Sequence, residues 1–245
     1  MSESETLSVS LNDGVLSLTL NRPDTANALS PKLVELIIKA LSDTSNVRLC
    51  VIQGEGRHFC AGFDLSDIED LSDGDLLWRF VRIETMLQAI YHAPFPAVVF
   101  AKGQVVGAGA DLFAACWKRI AAPGSKFRMP GWNFGLALGT RRLAQRVGKD
   151  IARDMLIDTQ VITAEQGMSN GLVTEVVEQE GWPEQVSLLD KRSQNLSPRA
   201  LENLFELTVP DTRDVDMAAL VNSAAVPGLK QRILSYREKA IAAKK

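Results

Sequence analysis

The sequence predicts an α/β domain of layered, parallel strands followed by a helical C-terminal region. Two observations carry this. An apolar strand, a glycine-rich turn and a helical stretch follow one another twice in the first half, at residues 47–92 and 97–116. That alternation is the pattern of parallel strands joined by helices. After Gly181 the apolar spacing is helical throughout. At 245 residues the chain fits one large domain, or a domain with a small appendage.

Taken in order, residues 6–20 alternate apolar and polar about Asn12-Asp13-Gly14, a strong hairpin signal. A polar loop, 21–29, leads to Ser30-Pro31, which reads as an N-cap and first helical residue. Leu33, Leu36, Ile37, Ala40 and Leu41 then form a helical apolar face. Val47–Ile52 reads as a buried strand and opens into Gly54–Leu65. Within that stretch Ala61-Gly62 lets the backbone approach a ligand closely. A turn of this kind can aim an unpaired N–H outward, a ready donor to an oxyanion. An ordinary strand-to-helix loop is the alternative reading.

The polar, acidic segment 66–78 suggests a mobile loop or a short frayed helix, and 79–92 an amphipathic helix ended by Pro94 and Pro96. Ala97–Ala101 is a short buried strand, followed by a second glycine-rich turn over 102–112. Strands are expected at 119–122 and near 127, and helices at about 139–147 and 150–157. Thr163-Ala-Glu-Gln166 matches a capping box, with Gly171 at the far end of its helix. A strand over 172–177 precedes helices at 183–195, 198–208 and 228–243, with a polar linker near 209–217. The tail helices carry no glycine-rich loop or acid cluster and read as packing or oligomer elements.

Composition narrows the function. The net charge of −3 argues against nucleic acid, because a phosphate-binding surface needs a basic excess. No run reaches the roughly 18 apolar residues of a membrane span. The first residues, Met-Ser-Glu-Ser-Glu, are acidic and unlike a secretory or transit signal. Cys50, Cys60 and Cys116 are odd in number and fit no zinc spacing, so a reducing cytoplasm is the simplest home and no metal site is expected. His58 and His92 are too few for a histidine metal site or a Ser-His-Asp triad and read as structural or solvent-facing.

Four segments, in order, resemble the crotonase superfamily, the enoyl-CoA hydratase/isomerase group: Leu20–Leu29, Gly54–Leu65, Gly103–Leu112 and Leu143–Val173. The resemblance spans about residues 6–208. It implies a spiral of ββα units with helical C-terminal packing, divided as a 1–190 core and a 191–245 helical packing or oligomerisation region. It further implies a homotrimer or dimer of trimers, and an acyl-CoA substrate with coenzyme A bound as part of it. Two backbone N–H groups would polarise the thioester carbonyl. Carried over by position these are Phe63 and Ala108, and Asp24, Thr25, Ala26, Cys60, Asp64 and Leu65 would line the adenine and pantetheine path.

Two departures bear on the chemistry. Hydratases of this group use two glutamates. Asp111 occupies the first position, where it could act as acid or base, or serve only as a first-turn helix carboxylate. Gly131 occupies the second, in Phe127-Arg-Met-Pro-Gly131, and cannot move a proton. Trp132 and Phe134 read equally as pocket covers or core aromatics, and Arg128 reads as solvated rather than as a partner for a substrate carboxylate. Asp67, Glu69 and Glu84 could reach a site from the mobile segment. The resemblance therefore implies hydratase/isomerase chemistry with Asp111 as sole acid/base. Decarboxylation or thioester hydrolysis on the same oxyanion hole is the first alternative, and a non-catalytic CoA-binding protein the second.

Overall fold

A computed structural model describes residues 6–242; the acidic N-terminal pentapeptide lies outside them. The hairpin forms as the alternation predicts. β1 (Leu7–Asn12) pairs antiparallel with β2 (Val15–Leu20), Leu7 opposite Leu20. Asp13 and Gly14 both take positive φ, 47° and 78°, the two-residue turn whose twist matches a hairpin. Four parallel partners extend the sheet, in the order β1-β2-β3-β4-β6-β9: β3 (Leu49–Gly54), β4 (Ala97–Ala101), β6 (Lys118–Ala121) and β9 (Glu175–Val176).

The strands β3 and β4 read as continuous apolar runs because both faces are covered. Cys50, Ile52, Val99 and Ala101 face the main core. Leu49, Val51, Val98 and Phe100 turn the other way, where Trp182 and Leu189 of α7 (Trp182–Ser193) cover them.

A second layer makes the chain a spiral. Between each long strand and its helix, the chain adds one rung to a short sheet strip. Leu29 bridges Phe63, and Cys60 bridges Val105. Val105 of β5 (Gln104–Val106) pairs in turn with Phe127 of β7 (Lys126–Arg128). β8 (Ile162–Thr163) closes the strip antiparallel to β7. Each rung delivers the chain to a helix: α1 (Pro31–Ala40), α2 (Asp73–Tyr91), α3 (Ala108–Ala115) and α4 (Thr140–Val147). The glycine-rich turns stand where chain passes from strip to helix.

Three elements differ from expectation. The acidic segment is ordered, with a 3₁₀ turn at Ile68–Asp70, and α2 begins at Asp73. Ser72 and Asp75 form a capping box there, and acids in a first helical turn favour the helix dipole, so the acidity marks a helix start. The expected strand 172–177 shrinks to two residues because Gly171 ends α6 (Ala164–Asn170) in the left-handed region. The N–H of Leu172 then bonds the Asn170 side chain and that of Val173 the Gly167 carbonyl. The polar linker is largely a helix, α9 (Arg213–Ala224), whose Leu220 and Ala224 alone are deeply apolar contacts.

α5 (Lys149–Ile157) and α8 (Pro198–Thr208) fall as predicted, and α10 (Leu229–Ala242) closes the described chain. Leu220, Ala224, Leu229 and Ile233 join the same buried cluster as the sheet face. Asp73 anchors α10. Its carboxylate accepts the N–H groups of Gly228 (2.8 Å), Leu229 (3.2 Å) and Lys230 (2.8 Å). Those bonds hold its carboxyl below the usual range, led by the one from Lys230. The stability they add is therefore present above the unfolded carboxyl pKa and lost as pH falls through the lower folded one. Asp73→Ala is expected to cost about 0.5–2 kcal/mol, the scale of a lost helix cap. The deficit should shrink below about pH 4, where an unfolded carboxyl protonates. Denaturant melts at neutral and acid pH check both.

Candidate active site

The first glycine turn is held from both sides. Asn27, fully buried, donates its amide to the carbonyls of Glu55 and His58, each at 2.9 Å. Ala61 N–H bonds the Ala26 carbonyl at 2.9 Å, and Leu29 N–H bonds the Gly62 carbonyl at 2.7 Å. Opposite, Val106 N–H bonds the Cys60 carbonyl at 2.9 Å, and Gln104 N–H donates to His58 Nδ1 at 3.1 Å. His58 is thus structural, as read from the sequence.

The two turns touch directly. A Cβ built on Gly62 would stand 2.5 Å from the Val106 carbonyl oxygen and 3.1 Å from the Ala108 nitrogen. One on Gly109 would stand 2.5 Å from the Cys60 carbonyl oxygen. Gly62 also takes φ +86°, which a side chain resists.

This interlock brings Phe63 and Ala108 to one pocket. Neither backbone N–H has an acceptor among the described residues. Ala108 is the first residue of α3, so its N–H is one a helix leaves free, and the dipole adds positive potential there. The Phe63 ring stacks on Phe80 with centroids 4.4 Å apart, and the Arg79 guanidinium lies 4.3 Å over the same ring. Arg79 also donates to the Asp64 carbonyl at 2.8 Å and to Asp67 at 2.7 Å, clamping the turn to α2. Sequence reading passed over Arg79; a cation on an otherwise apolar helix face was its one signal.

Asp111, in the first part of α3, lines the same pocket at 4% exposure. Its Oδ1 is buried without a hydrogen-bond partner among the described residues. The carboxyl presses on the backbone before α4, where a Cβ on Gly139 would stand 1.9 Å from Oδ1. Gly139 takes φ +63°, so glycine is required there for space and for conformation. Burial pushes the Asp111 carboxyl well above its usual range. The Arg142 guanidinium opposes this and the Glu84 carboxylate adds to it.

The rest of the pocket is apolar. Met129, Leu136, Leu138 and Leu156 line it, with Trp132 and Phe134 from the 3₁₀ turn Gly131–Phe134. Trp132 is 44% exposed, its indole N–H donating to Thr140, so it caps the pocket rather than filling the core. Phe134 packs on Tyr236 at 5.5 Å. Gly131 lies on the wall, its carbonyl accepting the Leu136 N–H at 3.0 Å. Ile233 and Tyr236 of α10 complete the lining. The tail was expected to pack or oligomerise only; α10 also builds the pocket, because Asp73 docks its start on α2.

The remaining candidate residues divide. Leu65 lines the pocket, and Asp24, Thr25 and Ala26 form an exposed to half-exposed 3₁₀ turn and its end, with Asp24 and Thr25 open to solvent. Cys60 is fully enclosed, its thiol donating to the Asn27 carbonyl at 3.2 Å. Asp64 pairs with Arg22 at 2.7 Å. Both side chains hold the turn from behind instead of lining a path. Glu84, Asp67 and Glu69 do not line the pocket: they pair with Arg142, Arg79 and Arg237, because the segment that carries them is ordered. Arg128 lies in a neighbouring groove that shares Tyr236 with the pocket.

Gly62→Ala is expected to part the two turns and lower kcat by about 10²–10³-fold, the effect of losing one oxyanion donor. Steady-state kinetics on a CoA ester checks it; wild-type kcat would mean that the turns tolerate the methyl.

A spiral of strand-plus-rung units packed against helices in this order is the crotonase fold. The enoyl-CoA hydratase/isomerase family model matches residues 10–226, and the chain belongs to that family and is an enzyme of that type. Escherichia coli 2,3-dehydroadipyl-CoA hydratase is 34% identical over 204 residues, covering 80% of this chain and 78% of that protein. A Bordetella parapertussis crystal structure, described as a candidate enoyl-CoA hydratase/isomerase, is 40% identical with a TM-score of 0.93, covering 94% of this chain and 98% of that one. An enoyl-CoA hydratase/isomerase from Pseudoalteromonas atlantica superposes with a TM-score of 0.79 at 27% identity, over 96% and 97% of the two chains. Among the described residues no helix is long and apolar enough to cross a membrane, and no group of three His, Cys, Asp or Glu is set to hold a metal ion.

Proposed function

We propose that the protein binds an acyl-CoA thioester with its carbonyl oxygen on the Phe63 and Ala108 N–H groups and moves a proton at the adjacent carbons through Asp111. Family membership supports the substrate class. One observation carries the mechanism: Asp111 is the carboxyl in an otherwise apolar pocket lined by both free donors. Negative charge develops on the thioester oxygen as the α-carbon gains carbanion character, and fixed donors in a dry site stabilise it.

The proposed chemistry runs through one carboxyl. In hydration, Asp111 gives its proton to the α-carbon as water adds at the β-carbon, and takes back the proton the water loses. In a double-bond shift it protonates one end of the allylic system and removes a proton from the other. A raised pKa suits both steps, since a carboxyl that keeps its proton above the usual range can both give and retake it. Decarboxylation of a malonyl-type CoA ester is the second reading. It is favoured by Gly131, which supplies no second acid, because carbon dioxide loss needs only the oxyanion hole and one proton for the resulting enolate.

The test is a panel of 2-enoyl-, 3-enoyl- and malonyl-type CoA esters with product identification by mass. Turnover of the enoyl esters supports the first reading, turnover of malonyl esters alone the second, and binding without turnover overturns both. The Asp24–Ala26 turn and Leu65 are proposed to meet the CoA moiety. A trimer or dimer of trimers is proposed on the family resemblance, and a cytoplasmic home on the odd, unpaired cysteines. Leu204 and Leu207, exposed on α8, supply apolar surface for such contacts, and light scattering tests the mass.

A further inference from the structure

The pocket acid stands at the edge of a buried charge cluster. Arg142, 1% exposed, gives both terminal nitrogens to Glu84, at 2.8 Å and 2.5 Å, and Glu84 is equally enclosed. Asp216 of α9 lies 3.6 Å from Arg142 but has its own cation, Arg141, at 2.8 Å, and also accepts the Thr212 hydroxyl. Three carboxyl groups thus share two arginines. Glu84 takes Arg142, Asp216 takes Arg141, and Asp111 is left without a counter-ion. Two orphan atoms record the division: Asp111 Oδ1 and Arg142 Nε are both buried and unbonded among the described residues.

We infer that Glu84 and Arg142 are a positioning pair: by claiming the buried guanidinium, Glu84 denies Asp111 a counter-ion and so keeps it protonated as a proton donor. An uncompensated carboxylate in this apolar enclosure is costly, whereas a neutral carboxyl is not. The charged groups that act on Asp111 are Arg142 of α4 and Glu84 of α2, and they pull in opposite directions. Removing Glu84 reverses the balance twice. A repelling charge is lost, and Arg142 is freed to attract an ionised Asp111. The inference rests on the reading of Asp111 as the proton-transfer group, but its test does not depend on turnover.

Isotope-edited infrared spectroscopy of the full-length protein reports the protonated carboxyl of Asp111, assigned by loss of its band in Asp111→Asn. In the wild type the band is expected to persist well above the pH at which an ordinary carboxyl ionises. In Glu84→Gln its titration should fall by at least one pH unit, a tenfold or larger drop in the ratio of protonated to ionised carboxyl. The alkaline limb of kcat should move with it, which a purely structural role would not do. In the double variant Glu84→Gln/Arg142→Met the band should return. Replacing both partners of a buried pair is tolerated better than removing one, so the double variant also controls for folding. A wild-type Asp111 band that titrates in the ordinary carboxylate range, or an unmoved titration in Glu84→Gln, overturns the inference; the wild-type measurement needs only Asp111→Asn to fold, for the assignment. A moved titration with full activity in Asp111→Asn would instead leave the pair standing and remove Asp111 from the mechanism.

Discussion

Asp111→Asn is expected to lower kcat by about 10²–10⁴-fold, the range supplied by one general acid or base. Acyl-CoA affinity should be nearly unchanged, since the proposed hold on the thioester is through backbone N–H groups that the substitution does not touch. The same change should stabilise the fold. The Asp111 carboxyl is raised above its unfolded value by burial, so the native state binds more protons than the unfolded one. Stability then falls as pH rises from the unfolded carboxyl value toward the folded one. Asparagine removes that penalty, so the variant's advantage in melting should be present at neutral pH and vanish below about pH 4. Kinetics, CoA-ester calorimetry and melts at two pH values check all three. A kcat within tenfold of wild type would assign the proton transfer elsewhere. Activity lost together with stability gained is the signature of a group kept for chemistry at a cost to the fold.

Arg142→Ala is expected to be the most damaging substitution for stability. Removing one partner of a buried ion pair leaves the other charge uncompensated and costs about 3–5 kcal/mol. Here the orphan would be Glu84, enclosed at 1% exposure, with the Asp216 carboxylate nearby. For a chain of this size each kcal/mol moves Tm by about 2–4 °C, so a drop of roughly 6–20 °C is expected in a calorimetric scan. Glu84→Gln in the same background should recover much of it by removing the stranded charge. A single variant within a degree or two of wild type would mean that water reaches Glu84 readily. The cluster also ties α2, α4 and α9 together, so the loss should loosen the wall behind Asp111.

Much of this molecule was legible because its signals are local. Asp13-Gly14 makes its turn through backbone conformation alone, and Ser30 and Thr163 cap their helices from three residues away. Parallel strands buried on both faces have to be apolar, so β3 and β4 announced themselves. The turns that carry Phe63 and Ala108 were legible too, because close backbone approach restricts those positions to glycine. What failed was also local in cause. The acidic Asp73-Gly-Asp75 looked like a loop, although acids in a first turn belong to a helix start. α9 buries so few apolar side chains that its period was hidden.

Short-range sterics wrote the layered α/β class and the two glycine turns into the chain, and the family resemblance pointed to Asp111. How those parts meet came from tertiary packing. It set Gly62 against Val106 and Gly109 against Cys60, and it put Gly139 on the Asp111 carboxyl. It brought α10 from the far end of the chain to the pocket. It also gave Arg142 to Glu84, 58 residues away in the chain, in place of Asp111. Such partners are chosen by distance and burial, and a buried charge is governed by whichever neighbour folding brings within a few ångströms. That neighbour has no signature along the chain.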